Sequence, residues 1–113
     1  MSYSEDPSDP QEECYCERVL VQNRFGIHVR PSTRFVEIAQ GFKAKIRVAV
    51  LRFEGQMDEI QEREEFDGKS VIQLLQLGAS CGSELQISAQ GEDAKQALLV
   101  LKKLVEDKFG FEE

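Results

Sequence analysis

The chain has 113 residues, 41% of them hydrophobic, and a formal net charge of −7. That length holds one domain. No apolar run approaches the ~20 residues that cross a bilayer, and the acidic balance argues against nucleic acid, whose phosphates demand Lys and Arg. The start, Met1-Ser2-Tyr3-Ser4-Glu5-Asp6, lacks the basic and apolar regions of a secretory signal, so a cytoplasmic protein with no membrane partner is expected.

Residues 1–16 read as an acidic, disordered tail, of which residues 1–13 hold Asp6-Pro7-Ser8-Asp9-Pro10 and almost nothing apolar. The folded domain is expected over residues 17–113. Residues 18–22 form a Val-rich run, read as a buried strand. Asn23-Arg24-Phe25-Gly26 is turn-like. A helix follows from His28, with Pro31 in its first turn. Phe35, Ile38, Ala39 and Phe42 give it one apolar face, and Gly41 is expected to stop it.

Residues 45–50 alternate basic and apolar, as a half-buried strand does. Residues 54–67 carry seven acids and one base, an acidic excursion before another short strand. Ser70 is placed to cap a short helix, with Val71, Leu74 and Leu75 facing in. Residues 84–89 alternate as a last strand. Gly91 turns, and Glu92-Asp93 open a final helix with acids at its positive end. Ala94, Ala97, Leu98, Leu101, Leu104 and Val105 form its buried stripe. The order βαββαβα predicts an α+β open-faced β-sandwich, with helices on one face of a four-stranded, mostly antiparallel sheet.

The net charge hides a division. Residues 18–53 carry eight bases and a single acid, Glu37, whereas residues 1–17 carry six acids and no base. A basic face on an acidic chain suits docking to an acidic partner protein.

Gly26-Ile27-His28-Val29-Arg30-Pro31 carries the chemistry. Gly26 permits a tight bend. The first N–H groups of the following helix have no intrahelical acceptor, and with the positive dipole end they make an anion site. Arg30 adds a fixed charge. An imidazole beside positive charge favours its neutral form, whose lone pair can attack phosphorus. The product phosphate would then lie against the helix start, with Pro31 and Ser32 facing it. A lone histidine is more often an ordinary surface or capping residue, so this argument stands on the whole segment.

That segment, Asn23-Arg24-Phe25-Gly26-Ile27-His28-Val29-Arg30-Pro31-Ser32, resembles the active-site motif of the HPr family, usually Asn-x-x-Gly-Leu-His-Ala-Arg-Pro-Ala. HPr is the histidine-containing phosphocarrier of the bacterial phosphoenolpyruvate-dependent sugar phosphotransferase system. The resemblance covers about residues 17–109. It implies that His28 is the phospho-acceptor, through Nδ1, and that Arg30 helps hold and release the phosphate. Residues 67–78 resemble the family's Gly-Lys-Ser segment, which maps to Gly68-Lys69-Ser70 and implies a regulatory phosphorylation at Ser70. Simple N-capping explains Ser70 equally well. Gln90-Gly91-Glu92-Asp93-Ala94 matches the turn into the family's last helix.

Val29 and Ser32 stand where the family usually has Ala, and residues 54–66 look like an acidic insertion.

The resemblance implies a monomer that receives phosphate from enzyme I and passes it to a IIA-type protein. It also implies a serine kinase/phosphorylase acting on Ser70. Such a chain is a phosphoryl-transfer intermediate with no turnover of its own and no cofactor. Arg24, Phe25, Ile27 and Arg34 would form the docking face. The alternative on the same fold is a regulatory protein, nitrogen-branch or kinase-controlled, acting mainly by binding. A different class, a cysteine enzyme pairing Cys81 or Cys16 with His28, lacks any nucleophile motif around Ala79-Ser80-Cys81-Gly82. Cys14-Tyr15-Cys16 lacks the spacing and partner pair of a structural zinc site, so no metal is expected.

Overall fold

A computed structural model describes residues 14–52 and 64–110. Strand β1 (Cys14–Leu20) precedes helix α1 (Val29–Ala39), strand β2 (Lys45–Arg52), the short strand β3 (Phe66–Asp67) and helix α2 (Val71–Gln76). Strand β4 (Glu84–Gln90), helix α3 (Ala94–Glu106) and a 3-10 turn (Lys108–Gly110) complete the chain. The sheet order is β1-β4-β2-β3 and every neighbour is antiparallel. This is the open-faced sandwich expected from the sequence.

The alternation along the strands decides the layers. Val19, Ile46, Val48, Leu85, Ile87 and Ala89 are buried on one face. The helices cover that face with Phe35, Val36 and Ala39 of α1, Leu74 of α2, and Ala97, Leu98, Leu101 and Val105 of α3. Glu17 on β1 receives the Lys102 ammonium from α3 at 3.1 Å. The other sheet face carries Cys16, Arg18, Lys45 and Arg47, all exposed.

Three expectations need correction. The first strand begins at Cys14 and ends at Leu20, so residues 14–16 of the expected tail belong to the sheet, opposite Gln90, Ala89 and Ser88. Residues 1–13, the rest of that tail, and most of the expected insertion at 54–66 lie outside the described residues. Val21, assigned to the strand, instead exchanges backbone hydrogen bonds with the turn at Gly82 and Ser83, both at 2.9 Å. The first helix ends at Ala39 with Gln40 as its C-cap, so Gly41 stands just past its end, where a glycine stop was expected. On α2, Leu74 is buried but Leu75 is exposed, and Leu77, just past the helix, fills the core instead.

Asp93 holds the N-cap of α3 without a side-chain hydrogen bond to its own helix. Its carboxylate accepts the Lys43 and Ala44 N–H groups at 2.9 and 2.8 Å. The start of α3 is thereby fastened to the turn that enters β2. The hydrogen bond from the Lys43 amide is the main reason that the Asp93 carboxyl titrates below its ordinary range.

Candidate functional site

The loop between β1 and α1 is built around Asn23, which is 1% exposed. Its Nδ2 donates to the Gly26 carbonyl at 2.5 Å, and its own carbonyl accepts the Gly26 N–H at 3.0 Å. Gly26 takes φ +72°, and a Cβ there would stand 2.5 Å from the Ala79 carbonyl oxygen and 2.7 Å from Ser80 Cα. Only glycine permits both the left-handed backbone and this approach. The next residue completes the latch, because the Ile27 N–H donates to the same Ala79 carbonyl at 2.9 Å. The loop is therefore pressed onto the turn that precedes β4.

His28 follows as the N-cap of α1, in extended backbone at φ −121° and ψ −163°. Its carbonyl accepts the Ser32 N–H at 2.9 Å, closing the first helical bond. Its side chain makes no capping hydrogen bond. The ring is half-buried, with Nε2 buried, and meets the Phe25 ring edge-on at 6.1 Å and 84°. The Arg24 guanidinium lies 5.4 Å from the centre of the Phe25 ring, a stacked cation. Arg24, Phe25 and His28 thus form one cluster.

Arg30 and Arg34 lie one turn apart on α1. With Val29, Thr33, Glu37 and the Phe109–Gly110 segment they line a groove of about 410 Å³ beside the start of the helix. The far wall is unusual. Lys108 and Phe109 both have left-handed φ, +57° and +60°, and this conformation sets Phe109 fully inside the core.

The structure corrects the role expected of Pro31 and Ser32. Both are buried and turn inward onto a small void lined by Phe35, Leu74, Leu77 and Val105. Neither offers a donor to an anion, since Pro31 has no N–H and the Ser32 N–H is held by the His28 carbonyl. The Ser32 hydroxyl is buried with no hydrogen-bond partner. The first turn of α1, at Val29 and Arg30, sets the positive end of the helix next to His28.

Of the expected docking residues, Phe25 is 64% exposed, Arg24 and Arg34 are exposed, and Ile27 is half-buried against the core. Sequence reasoning missed Val29, Ile72 and Leu75, apolar side chains exposed on α1 and on α2. Their signal was present, since Ile72 falls off the buried stripe that contains Leu74.

Ser70 stands apart, on the turn from β3 into α2. Its Oγ accepts the Gln73 N–H at 3.2 Å, as a capping serine does. Lys69 beside it donates from Nζ to the Phe42 carbonyl at 2.6 Å. Gly68 is required by packing, since a Cβ would lie 2.5 Å from Ile46 Cγ2.

The cysteines are placed elsewhere. Cys81 is exposed and its Sγ points to the Gln22 carbonyl at 3.7 Å, while Cys14 and Cys16 are exposed on β1. Among the described residues, no group of three or more His, Cys, Asp or Glu gathers as a metal cluster.

Comparison with known proteins agrees with this geometry. The family described as the PTS HPr component phosphorylation site matches residues 16–107. The phosphocarrier protein HPr of Treponema pallidum is 31% identical, over 80% of this chain and 91% of its own length. A multiphosphoryl transfer protein of Haemophilus influenzae is 33% identical over 80% of this chain, a region that makes up 16% of that longer protein. Among solved structures, HPr-C-His from Thermoanaerobacter tengcongensis superposes with a TM-score of 0.72 at 29% identity, covering 88% of this chain and 99% of that one. With a family match across nearly all the described residues, and a histidine at the start of α1 where that family's motif requires one, this chain belongs to the HPr family of phosphotransferase-system phosphocarriers.

Proposed function

We propose that the chain accepts a phosphoryl group on His28 Nδ1 from phosphorylated enzyme I and passes it to a IIA-type protein. The observation that carries this reading is the position of His28, an N-cap residue whose ring is not spent on capping its helix. Burial of Nε2 supports Nδ1 as the attacking nitrogen.

In the transfer, the Nδ1 lone pair forms a bond to phosphorus as the bond from phosphorus to the donor breaks. The bonding pair of that broken bond leaves with the donor. The positive end of α1, at Val29 and Arg30, receives the phosphoryl oxygens. The Arg30 guanidinium offsets charge on those oxygens. Return transfer reverses each step, so the hold must be moderate. The Phe25 ring keeps one edge of the imidazole in place.

Arg24, Arg34 and the apolar side chains of Phe25, Ile27 and Val29 form the surface that meets acidic partners. A serine kinase/phosphorylase acting on Ser70 would add about −2 charge at the start of α2, beside the exposed Ile72. That charge would weaken docking by apolar and acidic partners without moving the fold.

The test is intact mass after incubation with phosphoenolpyruvate and enzyme I. One acid-labile phosphate on the wild type and none on His28→Ala supports the reading. Labelling that persists in His28→Ala overturns it.

A further inference from the structure

Strand β1 is one edge of the sheet. Its seven residues pair with β4 in unbroken register, and among the described residues no strand pairs with its other side. A regular strand of that length, free of proline and bulge, presents a row of backbone donors and acceptors to another strand. The opposite edge, β3, is guarded by being two residues long.

The side chains of β1 decide which strand fits. Val19 faces the core, so Cys14, Cys16, Arg18 and Leu20 alternate onto the outer face, where all four are exposed. A second copy related by a two-fold axis perpendicular to the sheet runs antiparallel and keeps both helix layers on one side. Residues of like face then stand opposite each other.

Three such registers keep most of β1 paired. One sets Glu17 against Glu17 and another sets Arg18 against Arg18, and like charges directly opposed are destabilising. The third sets Cys16 against Cys16, Cys14 against Arg18, and Tyr15 against Glu17, with no like charges opposed.

We propose that β1 pairs with β1 of a second copy of this chain in that third register, and that a peroxide converts the contact into a Cys16–Cys16 disulfide. Side chains directly opposite in an antiparallel pair have Cβ atoms about 4.5–5.5 Å apart. A disulfide needs about 3.5–4.5 Å, a small adjustment at an exposed edge. The two thiols lose two protons and two electrons as the S–S bond forms. The peroxide O–O bond accepts them and breaks to give two waters. A thiol reductant reverses the bond.

Two short strands pair weakly on their own, so the reduced chain is a monomer and oxidation shifts it to the dimer. Leu20, at the end of β1 that leads to the His28 loop, lies four residues, or about 13 Å, from the two-fold. The pairing therefore leaves His28 open, and this inference stands or falls separately from the phosphocarrier reading.

The reduced full chain is treated with hydrogen peroxide, then analysed by non-reducing electrophoresis and peptide mapping. Wild type, Cys14→Ser and Cys81→Ser are expected to give a dimer bridged through Cys16, dispersed by dithiothreitol, while Cys16→Ser gives none. The register has its own check: Arg18→Cys, in a chain that keeps Cys14 but carries Cys16→Ser and Cys81→Ser, should cross-link Cys14 to the new thiol of the other copy. No dimer, an intrachain Cys14–Cys16 bond as the main product, or bridging spread evenly over the three cysteines would overturn the proposal.

Discussion

At the start of α1 the N-cap residue is His28, and at the start of α2 it is Ser70. Both have extended backbone, with φ −121° and −127°, but they use their side chains in opposite ways. Ser70 turns its hydroxyl onto the Gln73 amide at 3.2 Å and satisfies its own helix. His28 makes no side-chain capping hydrogen bond to α1. A missing cap costs about 1 kcal/mol. What α1 keeps in exchange is its positive end beside an imidazole. The difference shows that a helix start serves either its own stability or an external anion, and the residue at the N-cap decides which.

The comparison breaks first at Gly26, which seats the α1 cap. Gly26→Ala forces a left-handed alanine against the Ala79 carbonyl. We expect a loss of about 2–4 kcal/mol in urea unfolding, with phosphoryl acceptance slowed in the fraction that remains folded.

Asp93, the third N-cap, sharpens the contrast because it serves neither its helix nor an anion but the neighbouring turn. Asp93→Asn should cost about 1–3 kcal/mol at neutral pH. The carboxyl is held below its ordinary value of 3.8. Its contribution is therefore present above that pH and lost as pH falls through the lower folded value. The gap between wild type and variant in thermal unfolding should close in acid, and a gap that widens there would contradict the assignment.

Exchanging the two cap strategies should give shifts of opposite sign. His28→Ser should stabilise the fold by about 1 kcal/mol while abolishing phosphoryl acceptance, and Ser70→Ala should destabilise by about the same amount with acceptance intact. Denaturant midpoints and intact mass together check both. The smallest effect is expected at Ser32, whose buried hydroxyl lacks a partner. Ser32→Ala should raise stability by roughly 0.5–1 kcal/mol, since it removes a desolvated polar group.

The acceptor site was legible because its chemistry is local. Asn23, Gly26, His28, Val29 and Arg30 are neighbours in sequence, and each role follows from backbone freedom, charge or lone pair. The inward turn of Pro31 and Ser32 was also readable, since both stand at helical spacing from Phe35 on its buried face. Other features depend on distant partners. Residues 14–16, Cys-Tyr-Cys at the end of an acidic stretch, show no strand until Gln90, Ala89 and Ser88 supply one to pair with. Asp93 looks like a dipole-complementing acid until Lys43 and Ala44 arrive from about fifty positions away. Leu75 and Leu77 are indistinguishable by composition, and only the end of α2 after Gln76 sends Leu77 inward.

The most direct measurement is the nitrogen-15 NMR spectrum of the chain before and after phosphorylation by enzyme I and phosphoenolpyruvate. The account predicts coupling of phosphorus to Nδ1 of His28, with the largest amide shifts at Val29 and Arg30 and none at Gln73. Coupling at Nε2, or shifts centred on the start of α2, would contradict the claim that the uncapped start of α1 is the phosphoryl site.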